Sequence, residues 1–245
     1  MKFEDYERPA VAVDLVLFRM KSGKNGKKLQ IALIKKENQE IENGKWSLPG
    51  GFVDIDKTLN ETILGKVAEK IGFSEFSFKQ LYVVDNPKRD KRWRVISCIF
   101  LGICKFDNSK NYKCTWFDID NNENGKFFIK SENTNTILFD NDIAFDHKNI
   151  VFHAIQEMKS SAFHSDIPYE FIDDSFTISE LKSVFEEILC KHINNFSRTI
   201  SPYIEETGEI LKGKACRPAK LYRKKTENVQ IWEWSYYSII AYIHS

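Results

Sequence analysis

The chain has 245 residues, which is enough for one large domain or two modest ones with a buried core. It is 42% hydrophobic and 29% charged, and its formal net charge of +1 excludes a chain that is strongly basic or acidic overall. The first residues, MKFEDYERP, lack the apolar core of a secretory signal, so we expect a cytoplasmic protein.

The cysteines and histidines do not form a metal-binding pattern. The five cysteines include no C-x-x-C pair, and no histidine lies at zinc-ligand spacing. We therefore expect reduced, structural thiols and no bound metal.

The first 120 residues alternate strand patterns with one helical pattern. A helix is predicted from TLNETILGKVAEKIGF, because its apolar residues recur every three or four positions and Gly72 ends it. Strands around such a helix predict a mixed α/β sandwich. Strand-length β-branched or aromatic runs occur at residues 10–18, 28–36, 80–85, 94–104 and 114–119.

A polar segment and a second helix follow. The Asn-rich stretch DNNENGKFFIKSENTNT is predicted to be an inserted loop. AFDHKNIVFHAIQEMKSS predicts a connecting helix. The pattern breaks at HSDIPYEFIDD, so we place a domain boundary near residue 165, with domains at 1–165 and 166–245.

The remaining chain has the order helix, helix, hairpin. Thr177 and Glu180 form a capping-box pattern at the start of TISELKSVFEEIL. A shorter helix, NNFSRTIS, is limited by Pro202, and two strands follow around a turn with Gly213 and Pro218. This order is typical of a winged helix-turn-helix.

Two segments together resemble a known family. Residues 8–104, with RPAVAVDLVLF, KWSLPGGFVD and EKIGF, resemble a Nudix domain. Residues 176–223, with FTISELKSVFEEIL, EETGE and RPAKLYR, resemble the winged helix domain of the Nudix-related transcriptional regulators of the NrtR type. The resemblance implies an α+β protein, a Nudix α/β/α sandwich with a mixed sheet followed by a winged helix-turn-helix.

The resemblance also implies a function. It predicts a ligand-responsive regulator, such as a repressor, whose Nudix domain senses ADP-ribose, a related metabolite or a sugar. The expected partners are a palindromic double-stranded operator and a second copy of the chain, with no cofactor and no membrane. The alternatives are a Nudix hydrolase of ADP-ribose or a similar nucleotide diphosphate, and a module that binds RNA or protein.

The Nudix pattern G-x5-E-x7-R-E-U-x-E-E-x-G-U, where U is apolar, begins at Gly51 and keeps Glu69. Lysines replace three of its four glutamates, and Gly65 replaces its arginine. Four Glu and one Arg sum to −3, whereas three Lys and one Glu sum to +2. Because Mg²⁺ needs hard oxygen ligands, we predict no metal site and no catalytic residues. The three substituted lysines are Lys57, Lys66 and Lys70.

Two interpretations of these lysines remain open. Lys66 and Lys70 are solvent-facing positions that drifted after catalysis was lost, or they hold a pyrophosphate directly in place of a metal. KRDKRWR, residues 88–94, is either a solvated loop or a contact to phosphate or to the partner subunit. The complete set of predicted ligand contacts is Lys57, Lys66, Glu69, Lys70, Trp46, Arg89 and Arg94.

The last part of the chain carries the predicted DNA interface. NNFSRTIS would be the recognition helix, with Arg198 gripping a guanine edge, and the basic hairpin would lie along the phosphates. Glu205 and Glu206 are expected to face away from the duplex. The predicted contacts are Ser197, Arg198, Thr199, Lys212, Lys214, Arg217, Lys220 and Arg223. The aromatic end, VQIWEWSYYSIIAYIHS, is too short and polar to span a membrane and needs cover from its own domain or a partner.

Overall fold

The structure is a computed structural model that describes residues 7–23, 26–73, 75–105, 112–121, 126–132, 134, 136–211 and 218–225. The predicted DNA contacts Lys212, Lys214 and Arg217 and the aromatic end, residues 229–245, lie outside these ranges. The strands are β1 (Ala10–Gly23), β2 (Gly26–Lys35), β3 (Trp46–Ser47), β4 (Gly50–Phe52), β5 (Ser77–Val84), β6 (Val95–Cys104), β7 (Thr115–Asn121), β8 (Phe127–Ser131), β9 (Ile137–Leu138), β10 (Ile204–Leu211) and β11 (Ala219–Lys224). The α-helices are α1 (Leu59–Ile71), α2 (His147–Ser161), α3 (Ile178–Leu189) and α4 (Phe196–Ile200).

The amino-terminal part is built on one mixed sheet in the order β5-β6-β1-β2-β7-β8-β9. β1 is parallel to β6 and antiparallel to β2, while the short strands β3 and β4 pair with β2 and β1. β1 is central and is buried on both faces from Val13 to Arg19, which explains its nearly continuous apolar sequence. The predicted mixed sheet is confirmed.

One helix covers each face of this sheet. Alternate residues of β1 point to opposite faces, so Leu15 and Leu17 pack with α1 while Val16 and Phe18 pack with α2. The predicted connecting helix is confirmed as α2. Its buried residues are Ile150, Val151, Ala154, Ile155 and Met158, together with His147.

Helix α1 begins and ends where its sequence predicts. The Thr58 hydroxyl accepts the Glu61 N–H, and the Glu61 carboxylate accepts the Thr58 N–H, which completes a capping box. Gly72 closes the helix in the left-handed region with φ 93°, a conformation that favours glycine.

The predicted loop between β7 and α2 is wrong in part. β8 lies inside that segment and pairs with β7, and β9 directly follows the segment and pairs with β8. Ile129 is buried while the preceding Phe128 is exposed, so the alternation of FFIKS places Ile129 in the core. The surrounding Asn residues obscured a short edge strand.

The carboxyl-terminal part folds as a winged helix. α3 begins with the predicted capping box, in which the Thr177 hydroxyl accepts the Glu180 N–H at 3.1 Å. α4 follows, and β10 and β11 form an antiparallel hairpin. A bridge between Phe176 and Tyr222 ties this hairpin to the start of α3.

The two parts share one hydrophobic cluster. Residues of β1 and α2 lie in the same cluster as Phe185 of α3 and Phe196 of α4, and the rings of Phe163 and Phe185 are 4.8 Å apart. The domain boundary near residue 165 therefore stays a prediction. Among the described residues, no helix is long and apolar enough to cross a membrane.

Candidate ligand cleft and nucleic-acid interface

A cleft opens between β1, β4, α1 and the segment that leads into α2. Its wall carries more positive than negative side chains, and two phenylalanine rings. The charged lining residues are Lys36, Lys70, Arg89 and Arg92 against Asp14 and Asp90, with Phe52, Phe145 and His147 beside them. Arg89 pairs with Asp14 and Asp146, and Arg92 pairs with Asp90, so Lys36 and Lys70 supply the positive charge that suits the cleft to an anionic ligand.

Gly50, the residue just before the Nudix-like box, shapes this cleft. A Cβ on Gly50 would lie 2.2 Å from the Val13 carbonyl oxygen and 2.7 Å from the Asp14 Oδ1. Only glycine therefore lets β4 lie so close to β1. The short strand forms one wall of the cleft as a result.

Arg89 is held at the floor by two carboxylates. Its guanidinium donates to both oxygens of Asp146 at 2.9 and 3.0 Å and to Asp14 at 3.3 Å. Ser97 donates its hydroxyl to the same Asp14 at 2.7 Å. Burial lowers the pKa of Arg89, but the hydrogen bonds to Asp146 and the charge of Asp14 outweigh it, so the net pKa is raised.

His147 is buried at the same floor and is neutral. Its Nδ1 accepts the Leu48 N–H at 3.0 Å, so the ring proton is on Nε2, which lies 3.7 Å from the Asp14 Oδ1. Burial lowers the pKa of His147, and the nearby carboxylates only partly oppose that effect.

Lys70 is the box lysine that enters the cleft. Its ammonium donates to the Gly50 carbonyl oxygen, and its side chain is partly buried. Burial is the main cause that lowers its pKa. The premise that position 70 faces solvent is therefore wrong, because α1 directs this side chain over β4.

The other box residues line a separate cavity. Lys57, Lys66 and Glu69 lie there together, with Lys57 paired to Asp54 at 2.7 Å and Lys66 to Glu69 at 3.5 Å. The stem of Lys66 passes beside Gly51, where a Cβ would lie 3.0 Å from Cε. Their role as ligand contacts stays a prediction.

The remaining predicted contacts divide between the cleft and its surroundings. Arg89 lines the cleft, so a solvated loop is the wrong interpretation for that part of KRDKRWR. Arg94 donates to the Asp85 carbonyl, and Trp46 packs edge-on against Phe117 with the ring centroids 4.7 Å apart. Trp46 therefore contributes to the core of the sheet.

Several cleft residues were missed by sequence reasoning. Asp14 carries a visible signal, because a charged residue interrupts the apolar run AVAVDLVLF of a central strand. Others come from distant segments that the fold brings together, and they are Lys36, Phe52, Phe145 and His147. Arg92 lies in KRDKRWR, the segment considered as a phosphate contact.

The box residues do not fit the divalent metal that the Nudix fold implies. Glu69 is the one glutamate of the pattern that the box retains, and the Lys66 ammonium lies 3.5 Å from its carboxylate. Across the ranges given above, no group of three His, Cys, Asp or Glu side chains is placed to hold an ion. Hard oxygen ligands are what Mg²⁺ requires, so we derive no metal-dependent step.

The short helix α4 presents three polar side chains on one surface. Phe196 and Ile200 are 3% and 2% exposed and anchor the helix in the core, while Ser197, Arg198 and Thr199 are exposed. This is the arrangement that a recognition helix requires. Contact with bases stays a prediction.

The described part of the hairpin carries ion pairs across its strands. Lys220 pairs with Glu206 at 2.8 Å, and Arg223 pairs with Glu205 at 2.6 Å. These two cations are thus already partnered by the glutamates that sequence reasoning placed away from DNA. Phosphate contacts would have to compete with these pairs.

The chain is similar in sequence to known DNA-binding proteins. Residues 168–224 match the family described as the NrtR DNA-binding winged helix domain. An ADPR responsive transcriptional repressor of Acinetobacter baylyi is 29% identical over 226 residues, covering 89% of this chain and 83% of the relative.

Two solved structures share the architecture. A MutT/nudix family protein of Enterococcus faecalis has a TM-score of 0.73 and 24% identity, with 92% of this chain and 90% of that chain covered. Shewanella oneidensis NrtR complexed with a 27mer DNA has a TM-score of 0.67 and 26% identity, with 88% and 93% covered.

Proposed function

We propose that the chain is a DNA-binding repressor of the NrtR type of Nudix-related transcriptional regulators and that it responds to ADP-ribose. Its Nudix domain binds the metabolite and its winged helix domain binds an operator. The relative from Acinetobacter baylyi is described as a repressor that responds to ADPR, and it aligns with 89% of the chain.

The observation that carries this proposal is the position of Lys70. A box position that the Nudix pattern fills with glutamate holds an ammonium inside a cleft with three further cations, Lys36, Arg89 and Arg92. An ammonium acts on a phosphate as a point charge, and hydrogen bonds to charged groups are stronger than neutral ones. The cleft thus binds a diphosphate directly and does not hydrolyse it.

The DNA-binding half rests on α4 and the hairpin. Exposed Arg198 enters the major groove and reads a base edge, while the hairpin follows the backbone. A homodimer places two such units on a palindromic operator. Such a regulator works on the chromosome, and hence in the cytoplasm.

The alternative is a Nudix hydrolase that recruits carboxylates from outside the box. Asp14 and Asp90 lie in the cleft and favour this alternative, but Asp14 is engaged by Arg89 and Ser97, and Asp90 by Arg92 at 2.8 Å. Carboxylates that are already partnered are poor metal ligands.

One pair of measurements tests the proposal. A gel shift on the DNA upstream of the chain's own gene should show a specific complex whose affinity changes when ADP-ribose is added without Mg²⁺. Incubation of the chain with ADP-ribose and Mg²⁺ or Mn²⁺ should release no AMP. Turnover at an ordinary enzymatic rate would favour the hydrolase, and a complex insensitive to ADP-ribose would contradict the proposal.

A further inference from the structure

Phe145 has a backbone conformation that its side chain does not explain. Its φ is 52°, in the left-handed region that glycine and asparagine adopt more readily than a bulky aromatic residue. The backbone on either side is fixed, since the Ala144 N–H donates to the Trp46 carbonyl at 2.8 Å and Arg89 holds the Asp146 carboxylate. Such a residue is kept for what its side chain does.

The left-handed turn moves the Phe145 ring out of the core. Ile143 and Ala144, just before it, are 3% and 0% exposed, whereas Phe145 is partly exposed and lines the cleft. A phenylalanine that served only for packing would be buried as Ile143 and Ala144 are. The fold instead presents an aromatic ring to the space where a ligand would lie.

The ring lies among the cleft's cations. The Lys36 ammonium is 5.1 Å from the ring centroid, and the His147 ring is 5.4 Å away. Lys70 and Arg92 line the same cleft. An aromatic surface beside a group of cations matches a nucleotide, whose base stacks while its phosphates take the charges.

We propose that Phe145 is the stacking platform for the base of the bound nucleotide, and that it determines the preference of the cleft for a ligand that carries a base. The inference rests on the proposed function, because it deepens the description of the same cleft. An incoming phosphate would attract the Lys36 ammonium, since a charge-assisted hydrogen bond is stronger than a cation–π contact, and would thereby uncover the ring face.

The test compares two ligands on three variants. Phe145→Asn keeps a residue that tolerates the left-handed backbone but removes the ring, and Phe145→Tyr keeps the ring. Phe139→Asn is the matched control, because Phe139 is 66% exposed and is not among the residues that line the cleft. Calorimetry without Mg²⁺ gives the affinity for ADP-ribose and for inorganic pyrophosphate, which has no base.

Phe145→Asn should weaken ADP-ribose binding by about 5- to 150-fold, the loss expected for one base–aromatic stack. Its affinity for pyrophosphate should stay within about twofold of the wild type, and Phe145→Tyr and Phe139→Asn should bind ADP-ribose as the wild type does. If Phe145→Asn lowers the melting temperature, Phe145→Leu provides the same comparison with an apolar side chain.

Three results overturn the inference. Equal losses for ADP-ribose and pyrophosphate would show a structural role, and unchanged ADP-ribose binding in Phe145→Asn would show that the ring does not contact the base. In both cases the proposed function still stands. A wild-type chain that does not bind ADP-ribose would remove the proposed function, and the inference with it.

Discussion

At the scale of single residues, our proposal depends most on position 70. A glutamate there would offer an oxygen ligand to a cation, whereas Lys70 donates from a partly buried ammonium to the Gly50 carbonyl. Desolvation strengthens the attraction of that ammonium for an anion, because no water screens it fully. We therefore expect this one substitution to favour an anionic ligand where a glutamate would favour a cation.

Lys70→Met should weaken ADP-ribose binding by about 10- to 150-fold, the equivalent of one hydrogen bond to a charged group. Calorimetry without Mg²⁺ measures this loss. Lys79→Met is the matched control, because Lys79 is also partly buried but pairs with Glu157 on α2, outside the cleft lining. Equal affinities of wild type and Lys70→Met would contradict the role we assign to Lys70.

His147 makes stability depend on pH. Its pKa in the folded state lies below the unfolded value of about 6.5, so the unfolded chain binds the proton more readily. The free energy of unfolding should therefore fall as the pH drops below about 6.5, by at most about 1.4 kcal/mol per pH unit. Burial is the main cause of this lowering; the charges of Asp14 and Asp146 oppose it, and those of Arg89 and Lys36 add to it.

Urea unfolding at pH 7.5 and 5.5 measures this effect when the wild type is compared with His147→Gln. The glutamine carbonyl can still accept the Leu48 N–H but does not titrate. The wild type should lose more stability than the variant on acidification. Parallel losses would mean that other groups cause the pH dependence.

At the scale of secondary-structure elements, α4 and the β10–β11 hairpin contribute to DNA binding in different ways. Phe196 and Ile200 anchor α4 in the core, so the backbone that carries the exposed Arg198 side chain is held in place. The hairpin cations Lys220 and Arg223 have glutamate partners and less charge to offer. Sequence preference should therefore come from the helix.

Arg198→Ala should lower the affinity for the operator by about 1–3 kcal/mol and relax the preference at one base pair. Lys214→Ala, in the hairpin segment predicted to follow the phosphates, should weaken binding to all sequences alike and reduce the salt dependence. Gel shifts with the operator and a scrambled duplex separate the two effects. Identical behaviour of the variants on both duplexes would contradict this division.

At the scale of the whole molecule, α3 is joined to the sheet by a partly buried carboxylate as well as by the common hydrophobic cluster. Glu187 accepts the Leu29 N–H of β2 at 2.9 Å and lies 3.7 Å from the Lys28 ammonium. Burial raises the pKa of Glu187. β2 ends at Lys35, one residue before Lys36 of the cleft. The same strand therefore contacts α3 at Leu29 and leads into the cleft.

The chain should therefore unfold in one cooperative transition, with fluorescence and circular dichroism giving the same midpoint. Glu187→Ala leaves the buried Leu29 N–H without its acceptor and should cost about 1–3 kcal/mol, whereas Glu187→Gln keeps an acceptor and should cost less. Two separate unfolding transitions would contradict a cooperative coupling of the two parts. Equal losses of stability in both variants would contradict the role of the Glu187–Leu29 hydrogen bond.

Sequence patterns predicted most of the elements because local forces fix them. The apolar periodicity of α1 and α2, the capping box at Thr177, and the turn at Gly72 act within a few residues. β8 was missed because a short edge strand with a single buried residue, Ile129, resembles a polar loop.

The sequence by itself determined the order of the two domains, the loss of the metal-binding carboxylates and the exposed residues of α4, since each follows from residue identity and local spacing. Only the tertiary structure decided which charges share a cleft. It separated Lys70 from Lys57 and Lys66, and it brought Phe145 and Arg89 to the same space. Side chains from distant segments meet only where the packing of the sheet and its helices places them, and no local pattern encodes that distance.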